Sequence, residues 1–530
     1  MYFFVGWSIF DGKPSLVDKL KLKRPFIRNF GGFFLGIAGF TAILIFIPYA
    51  VMPAAAQRMA AVTILMAVWW ITEAIPIPAT ALLPIFLFPV MKIMNTAEVT
   101  INYGHHLVFL FLGGFIIALT IEKWQLHRRI ALRLINLIGS NKRFVILGFM
   151  IASAFLSMWI SNTATAMMMI PIGLAVISQF SETNEDTFVL GQNNFALALM
   201  LGIAYASSIG GISTLIGTPP NVVFIGVLRA NFPGAPEISF LQWMLFALPF
   251  SAVFLPLSWL YLVYIAAPVK VAKKKMDKSV IRSELNKLGP MSRPEKYTLA
   301  VFVITALLWM FRSDINLGFF DIPGWTTLFG LEDYITDSTV AILMALTTFL
   351  IPAEKQAEKQ TFLMDWSCAQ RIPWGILLLF GGGFALASGF QNSGLTSWLG
   401  EQFSTFSFLP VMAIILIISA TTTFTTEFAS NTAMASTILP IVAGLAVAID
   451  LNPLLLMIPA TISSSTAFML PVATPPNAIV FGSGYIRIRD MVKIGLIMNL
   501  LGLILIALFL STTAPAIFDI DWNILPEWVH

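Results

Sequence analysis

Long apolar stretches separated by short polar segments recur along this chain from residue 30 to residue 514. A helix needs about 20 predominantly apolar residues to cross the roughly 30 Å of hydrocarbon in a bilayer. Eleven stretches therefore predict one crossing each, at roughly 30–50, 57–73, 77–93, 106–122, 195–230, 240–267, 297–316, 339–352, 373–391, 453–484 and 493–514. This pattern indicates an all-α polytopic membrane protein with about eleven transmembrane helices.

Two further apolar segments, 144–178 and 408–448, are each interrupted near the middle by Ser-Asn-Thr. A single crossing would place these polar residues at the centre of the bilayer, where backbone and polar groups need partners within the protein. Two short arms around a polar tip fit better. The pattern therefore predicts two re-entrant hairpins, each entering and leaving on one face of the membrane.

The same polar motifs occur twice. Ser161-Asn-Thr-Ala returns 269 positions later at Ser430, and Thr218-Pro-Pro-Asn returns at Thr474. The register around the first motif holds without a gap over some sixty positions, so chance recurrence is excluded. The repeat divides the chain into a first inverted repeat at 57–267, containing hairpin 144–178, and a second at 297–530, containing hairpin 408–448.

Composition and charge add the orientation. Of the 530 residues, 58% are hydrophobic and 11% are charged, whereas a soluble domain carries about 25% charged residues. Basic residues cluster in the lead before the first span (domain 1–56) and in the loop 268–296, and both are predicted to be cytoplasmic. The stretches 317–338 and 515–530 carry acidic residues without Lys or Arg. We expect a plasma (inner) membrane protein with a cytoplasmic N-terminus, an external C-terminus and no nucleic-acid partner.

The motifs also predict a chemistry. Ser, Thr and Asn favour helix starts, and proline ends one helix and begins the next. Four new helix N-termini would offer free N–H groups and partial positive charge to an anion. No Lys, Arg or His lies within 153–171, 207–221, 422–440 or 463–477, so a bound anion would need a mobile counter-ion. Main-chain and hydroxyl oxygens at the breaks suit Na⁺. The residues indicate cation-coupled uptake of a small anion.

The paired Ser-Asn-Thr and Thr-Pro-Pro-Asn motifs, together with TEFASNTA at 426–433, resemble the divalent anion/sodium symporter family over nearly the whole chain. That resemblance implies sodium-coupled symport of C4-dicarboxylates such as succinate, malate and fumarate. It also implies a homodimer in which each protomer has a scaffold domain and a transport domain that moves as an elevator. At least two sodium sites and no organic cofactor are expected.

By motif position, the resemblance implies two sets of sodium ligands and one substrate pocket. The first sodium set is Ser157, Ser161, Asn162 and Gly217, and the second is Thr426, Ala429, Asn431 and Ala473. The implied substrate residues come from both halves: Asn162, Thr163, Thr218, Ser430, Asn431, Thr432, Thr474 and Pro475.

Two questions stay open at this level. A sodium-independent dicarboxylate or anion exchanger could use the same fold. Glu427 lies at membrane depth and has no acidic counterpart in the first half, so it is either a structural hydrogen-bonding group or a proton or ion group. An enzyme is not expected, because the chain lacks HExxH, GxSxG and GxxxxGK motifs and has one cysteine, Cys368.

Overall fold

The computed structural model describes residues 25–138, 141–181, 193–270, 279–316, 321–356, 359–403, 409–522 and 524–529. Most of the predicted cytoplasmic lead lies outside the described residues. So do residues 182–192 and, within the basic loop, residues 271–278.

The described part of the chain is mostly helical, as predicted. The first half contains α1 (Pro25–Phe46), α2 (Ala54–Thr72), α3 (Ile77–Thr80), α4 (Leu83–Val90), α5 (Thr96–Ile101), α6 (His106–Lys123), α7 (Leu126–Ile138), α8 (Lys142–Ser157), α9 (Asn162–Ser181), α10 (Asn194–Ile212), α11 (Pro219–Asn231) and α12 (Phe240–Leu260), which continues as a π-helical turn (Tyr261–Ala266). A 3-10 turn (Asn102–Gly104) joins α5 to α6.

The second half repeats the broken-helix arrangement. It contains α13 (Ser279–Lys287), α14 (Arg293–Met310), α15 (Trp325–Leu328), α16 (Asp337–Leu350), α17 (Trp366–Ala369), α18 (Trp374–Asn392), α19 (Leu395–Phe403), α20 (Val411–Thr426), α21 (Asn431–Ala448), α22 (Leu454–Ser465), α23 (Pro475–Phe481), α24 (Ile488–Thr512) and α25 (Ala514–Phe518), with a final 3-10 turn (Glu527–Val529). Two antiparallel strand pairs lie between helices: β1 (Ile315–Asn316) with β2 (Asp321–Ile322), and β3 (Pro352–Gln356) with β4 (Lys359–Phe362).

Seven of the described helical stretches are long and apolar enough to cross a membrane, judged by length and composition. The stretch 77–93 differs from its predicted single span. It forms the two short helices α3 and α4, because prolines interrupt it: Pro78 lies at the start of α3 and Pro84 at the start of α4. A proline lacks the N–H that a continuous helix would use and fits best in a first turn.

Helix α10 lies at the centre of the fold. All its residues from Phe195 to Ile212 are buried, so protein rather than lipid surrounds it on every side. It packs against α8 and α9 from its own half and against α22 and α23 from the other half. Two of the four helices that begin at a repeated motif, α9 and α23, therefore pack against one buried helix.

Ion pairs lie at the ends of the helices, away from the repeated motifs. Arg129 on α7 donates to the Glu295 carboxylate at 2.8 Å, and to the Gly289 carbonyl at 2.8 Å. At another helix end, the Arg312 guanidinium bonds the Asp337 carboxylate at 2.6 Å and that of Glu237 at 2.8 Å. Buried charges are tolerated where they are paired and hydrogen-bonded, and these pairs connect helices that are distant in sequence.

Candidate functional site

The Ser-Asn-Thr motif of the first half ends one helix and starts the next. Helix α8 ends at Ser157 and α9 begins at Asn162, so the break falls where the polar residues were predicted to cause one. Ser161 accepts a hydrogen bond from the Ala164 N–H at 3.2 Å, which is the capping role of this residue type. The buried Ser157 hydroxyl donates to Asn162 Oδ1 across the break. Two of the predicted sodium ligands are thus held together.

The second half builds the same arrangement with a threonine. Helix α20 ends at Thr426 and α21 begins at Asn431. The Thr426 hydroxyl lies 3.0 Å from Asn431 Oδ1 and 3.0 Å from the main-chain oxygen of Ser464. Both predicted pairs therefore place a hydroxyl against the asparagine oxygen, at the same distance in sequence.

The Thr-Pro-Pro-Asn motifs form the second pair of breaks. Helix α11 starts at Pro219 and α23 at Pro475. Thr474 Oγ1 accepts from the Asn477 N–H at 3.3 Å, whereas the Thr218 side chain makes no capping bond to α11. The two starts match the prediction, but their caps differ.

The asparagine that ends each of these motifs fastens the unwound segment before it. Asn221 Nδ2 donates to the carbonyls of Thr214 at 2.7 Å and Ile212 at 3.2 Å. Asn477 Nδ2 donates to the carbonyls of Ala467 at 3.0 Å and Leu470 at 3.1 Å. Both side chains are fully buried. Each amide thereby supplies partners for carbonyls that lost theirs where the helix stopped.

In the first predicted sodium set, the carbonyl oxygen of Gly217 is a third oxygen, near the Asn162 side chain. A Cβ placed on Gly211 would lie 2.6 Å from Asn162 Oδ1 and 3.1 Å from the Gly217 carbonyl oxygen. A Cβ on Gly217 would lie 2.4 Å from the Gly211 carbonyl oxygen. Both glycines are therefore required by close backbone approach, and the Gly217 carbonyl oxygen lies on the same side of Gly211 as the Asn162 side chain. Neutral oxygens at one point suit a hard monovalent cation.

The second predicted sodium set is less completely assembled by contacts. Ala429 and Ala473 make turn hydrogen bonds within their own breaks, from the Ala429 N–H to the Thr426 carbonyl at 3.3 Å and from the Ala473 N–H to the Leu470 carbonyl at 3.2 Å. Ser464, whose carbonyl meets Thr426, was not predicted. No signal in the sequence identifies it, because its role depends on how α22 packs against α20.

The helices that begin at the four motifs are paired across the repeat. Helix α9, which begins at Asn162, packs against α23, which begins at Pro475. Helix α21, which begins at Asn431, packs against α11, which begins at Pro219. Each Ser-Asn-Thr helix therefore contacts the Thr-Pro-Pro helix of the opposite half. We refer to this arrangement as the crossed pairs.

Accessibility differs among the predicted substrate residues. Asn162, Thr163, Ser430 and Asn431 are half-buried, Pro475 is exposed, and Thr218, Thr432 and Thr474 are buried. Ser157 and Thr426 are completely buried behind the helix starts. The arrangement leaves amide and hydroxyl groups available to a ligand while the hydroxyls of Ser157 and Thr426 face inward.

Within the described residues, no group of three or more His, Cys, Asp or Glu side chains is placed to hold a metal ion. The ion pairs given above involve residues outside the four motif regions. The breaks offer helix N-termini with main-chain, hydroxyl and amide oxygens, and the second break also contains the carboxylate of Glu427.

Broken helices in a repeated, apolar, largely helical chain define a membrane transporter rather than an enzyme. Residues 32–518 match the family model described as "Sodium:sulfate symporter transmembrane region", and the chain belongs to this family. Its relatives include two proteins named sodium-dependent dicarboxylate transporter SdcS. The one from Staphylococcus saprophyticus is 46% identical over 462 residues, 87% of this chain and 86% of the relative. The one from Staphylococcus aureus is 43% identical over 511 residues, 96% of each chain.

Solved structures share the fold at low sequence identity. The YdaH transporter of Alcanivorax borkumensis superimposes with a TM-score of 0.53 and 13% identity, covering 88% of this chain and all of that one. MtrF of Neisseria gonorrhoeae gives a TM-score of 0.52 and 12% identity, covering 79% of this chain and 83% of that one. The match to the family model and the two named relatives confirm the family resemblance stated from the motifs and the expectation that the chain is a transporter.

Proposed function

We propose that this protein is a sodium-coupled symporter of C4-dicarboxylates such as succinate, malate and fumarate. The crossed pairs are the observation that carries this proposal, because they bring together helices from both halves whose starts lie in sequence segments without basic side chains. Helix starts attract an anion, and a dicarboxylate without a protein cation requires another positive charge. The two staphylococcal relatives bear names that specify sodium dependence and dicarboxylate transport.

Sodium would bind in each half beside the Ser-Asn-Thr break. The first ion would use Ser157, Ser161, Asn162 and the main chain of Gly217, and the second would use Thr426, Asn431 and the main chain of Ala429 and Ala473. The contacts among Ser157, Asn162, Gly211 and Gly217 support the first site most directly. In the second half, the contact between Thr426 and Asn431 supports the corresponding site.

The substrate carboxylates would lie between the two breaks. Asn162 and Thr163 would bind one end, and Ser430, Asn431 and Thr432 the other. Thr218, Thr474 and Pro475 would close the pocket. Asn162 and Asn431, at the starts of α9 and α21, are half-buried and support this placement. Their side-chain amides can donate hydrogen bonds to a carboxylate, so that the bound carboxylate and the amides would both have partners.

The transport cycle would follow the same symmetry. The segments 144–178 and 408–448 would be re-entrant hairpins of opposite orientation, in a plasma (inner) membrane protein with an internal N-terminus and an external C-terminus. A homodimer whose transport domains move as elevators would carry the site across the bilayer. The repeated breaks and the distribution of basic and acidic loops support this topology.

Uptake by purified protein in liposomes tests the proposal. Labelled succinate should accumulate when Na⁺ is outside and choline inside, and should not accumulate when choline replaces Na⁺ on both sides. Equal uptake in the two media would refute sodium coupling. Uptake that requires internal dicarboxylate and ignores Na⁺ would instead establish the exchanger.

A further inference from the structure

Trp159, in the break between α8 and α9, contacts aromatic side chains of two other helices. Its ring lies edge-on to that of Phe302 on α14, with centroids 4.8 Å apart and ring planes at 89°. It also lies nearly parallel to the ring of Phe240 at the start of α12, with centroids 6.0 Å apart. Edge-to-face and offset-stacked aromatic pairs attract each other beyond the effect of the area they bury. One indole therefore attaches the first break to α14.

The rings around Trp159 are held in place from behind by Asp337, the first residue of α16. Asp337 Oδ2 accepts from the Phe240 N–H at 2.9 Å, and the Asp337 main-chain oxygen accepts from Trp309 Nε1 at 2.9 Å. The Trp309 ring stacks on that of Phe240 with centroids 4.7 Å apart, and both side chains are buried. We call Phe240, Phe302 and Trp309 the aromatic pocket. The contacts with Asp337 do not involve Trp159, so they fix two of the three rings independently of it.

Trp159 is held in this pocket by its ring alone. Its Nε1 atom is buried, and none of the described residues accepts a hydrogen bond from it. The indoles of Trp243 and Trp309, in contrast, donate to main-chain oxygens. A buried donor without an acceptor costs free energy that it regains in water. Hydration of this N–H would therefore partly offset the loss of the ring contacts, which suits Trp159 to a contact that forms and separates.

A second contact joins the same elements beside the first break. A Cβ placed on Gly114 of α6 would lie 3.6 to 3.8 Å from three atoms of the Ile216 side chain, in the unwound segment between α10 and α11. Gly114, Ile216, Trp159, Phe302 and Trp309 all line one small apolar cavity between these elements. Tightly packed interiors have few voids. The surfaces therefore meet here without interlocking, so that they can separate.

The second half leaves the equivalent residues uncovered. Phe428 follows Trp159 by 269 positions, in the same register as the Ser-Asn-Thr motifs, and 64% of its surface is exposed. Val472 follows Ile216 by 256 positions, in the register of the Thr-Pro-Pro-Asn motifs, and 57% of its surface is exposed. The apolar residues beside the first break are thus packed against α6 and α14, while those beside the second break are open.

The glycines that face the breaks show the same difference. Gly383 on α18 follows Gly114 by 269 positions, but a Cβ on Gly383 would lie 2.7 Å from Ser436 Oγ in the body of α21. Ser436 is completely buried, whereas its first-half equivalent, Met167 in α9, is 46% exposed. Equivalent glycines therefore contact different points of equivalent elements. The repeated sequence supports two alternative contacts, as expected if the two halves show the two positions of a moving unit.

We propose that Trp159 is a latch: its ring in the aromatic pocket holds the first break against α6 and α14, and it must leave the pocket for the transport cycle to proceed. The inference rests on the elevator movement proposed above, with α6, α14 and α16 in the scaffold and the breaks in the transport domain. Trp159 binds neither the ion nor the substrate. It sets which of two positions the transport domain favours.

A disulfide between positions 114 and 216 tests whether the latched position has to open. In a Cys368→Ser background, Gly114→Cys with Ile216→Cys places two Cβ atoms 3.8 Å apart, a separation that a disulfide requires. Oxidant should link the pair, as measured by peptide mass spectrometry, and should stop succinate uptake until a reductant restores it. The reduced protein is the control for the two substitutions. Absence of the link, or continued uptake by the linked protein, would overturn the inference.

The rate at which this pair links measures the latch itself. Trp159→Ala should slow linking about two- to tenfold, the factor by which an aromatic pair of this kind shifts an equilibrium. Phe302→Ala should have the same effect without altering the break, and serves alone if Trp159→Ala does not fold. Phe428→Ala, at the exposed equivalent position, is the matched control and should link at the wild-type rate. Unchanged linking in both Trp159→Ala and Phe302→Ala would refute the latch.

Combining the two substitutions shows whether they act on one contact. The double variant Trp159→Ala with Phe302→Ala should link no more slowly than the slower single variant, because both substitutions remove the same ring pair. Fully additive effects would show two unrelated disturbances and would contradict the inference.

A second cysteine pair distinguishes a shift from a general loosening. Gly383→Cys with Val472→Cys occupies the equivalent places in the second half and should link faster in Trp159→Ala, as the first pair links more slowly. If both pairs change in the same direction, the substitution has loosened the structure and the inference is wrong. Linking rates do not depend on sodium. Wild-type protein without Na⁺-driven uptake refutes the proposed function, whereas unaltered linking in the variants refutes only the latch.

Discussion

At the residue scale, the proposed sodium sites depend on individual side-chain oxygens at the breaks. In both halves a buried hydroxyl contacts the oxygen of the asparagine that starts the next helix, Ser157 with Asn162 and Thr426 with Asn431. A sodium ion placed there would be coordinated by both oxygens, in place of the hydrogen bond that joins them. The asparagine amide would remain free to face an anion.

Replacing these asparagines tests that dual role. Asn162→Ala and Asn431→Ala should each reduce succinate uptake and raise the half-saturating Na⁺ concentration about ten- to a hundredfold, since a hydrogen bond to a charged group contributes about 1.5–3 kcal/mol. Asn95→Ala is the control, because Asn95 caps α5 outside the motifs. If both site variants keep the wild-type Na⁺ dependence, the ligand assignment is wrong.

The identity of these residues could be predicted from the sequence because polar residues in apolar surroundings repeat in register. Ser464 and the partners of Glu427 could not. Their contacts join residues 38 to 72 positions apart, and only the packing of α20 against α22 and α24 creates them. The Glu427 carboxylate accepts hydrogen bonds from the N–H groups of Phe468, Met469 and Leu470 and from Asn499 Nδ2, which agrees with the alternative that Glu427 is a structural hydrogen-bonding group.

At the scale of elements, the helices stop where the motifs require and the ends are held by specific side chains. The sequence predicted all four new helix starts, because Ser-Asn-Thr and Thr-Pro-Pro have strong local preferences. It did not predict the amphipathic α7, the two strand pairs, or the fastening of each break by Asn221 and Asn477. Those features depend on partners supplied by the folded structure.

The close approach of backbone and side chain at the first break predicts that one methyl group added at Gly211 impairs transport. Gly211→Ala places a methyl group 2.6 Å from Asn162 Oδ1, so we expect at least a tenfold loss of Na⁺-dependent uptake, of the size seen for a misplaced or lost charge-assisted contact. Gly104→Ala is the matched control, because a Cβ there meets nothing within 4 Å. Size-exclusion chromatography should show both variants folded. Full activity of Gly211→Ala would contradict the tight oxygen cluster.

The fastening of the second break predicts a loss of stability. Asn477→Ala leaves the Ala467 carbonyl without its amide donor in a fully buried place, whereas the Leu470 carbonyl keeps the Ala473 N–H. An unsatisfied buried group costs about 1–3 kcal/mol, so the protein should unfold at a lower temperature in detergent. Asn477→Asp should be worse, because its carboxylate would face two carbonyl oxygens. The exposed Asn286→Ala is the control, and an unfolding temperature of Asn477→Ala equal to that control would exclude the fastening role.

At the scale of the whole molecule, charge distribution and the repeat determine how the chain should lie in the membrane. The buried ion pair between Arg129 and Glu295 holds α7 beside the start of α14, next to the basic loop. The pairs of Arg312 lie next to the acidic stretch 317–338. The two clusters therefore mark regions that the loop charges predict to be on opposite faces.

Cysteine labelling in intact cells tests this topology. In a Cys368→Ser background, Asn286→Cys should react with a membrane-impermeant thiol reagent only after the cells are opened, and Glu332→Cys should react at once. Both positions are exposed, so burial should not prevent reaction. The opposite pattern would invert the predicted orientation, and reaction of both from outside would reject the assignment of the two loops to different faces.

The crossed pairs imply that neither copy of the duplicated sequence is a smaller working carrier. A fragment made of residues 57–267 would contain α9 and α11 without the helices of the second half that they pack against. The N-termini of these two helices, which are proposed to attract the anion, would then lack their partners. Co-expressed fragments should recover uptake only together. For the same reason, a harmful substitution in α9 should find its suppressors in α23, across the duplication, rather than in the copy where it arose.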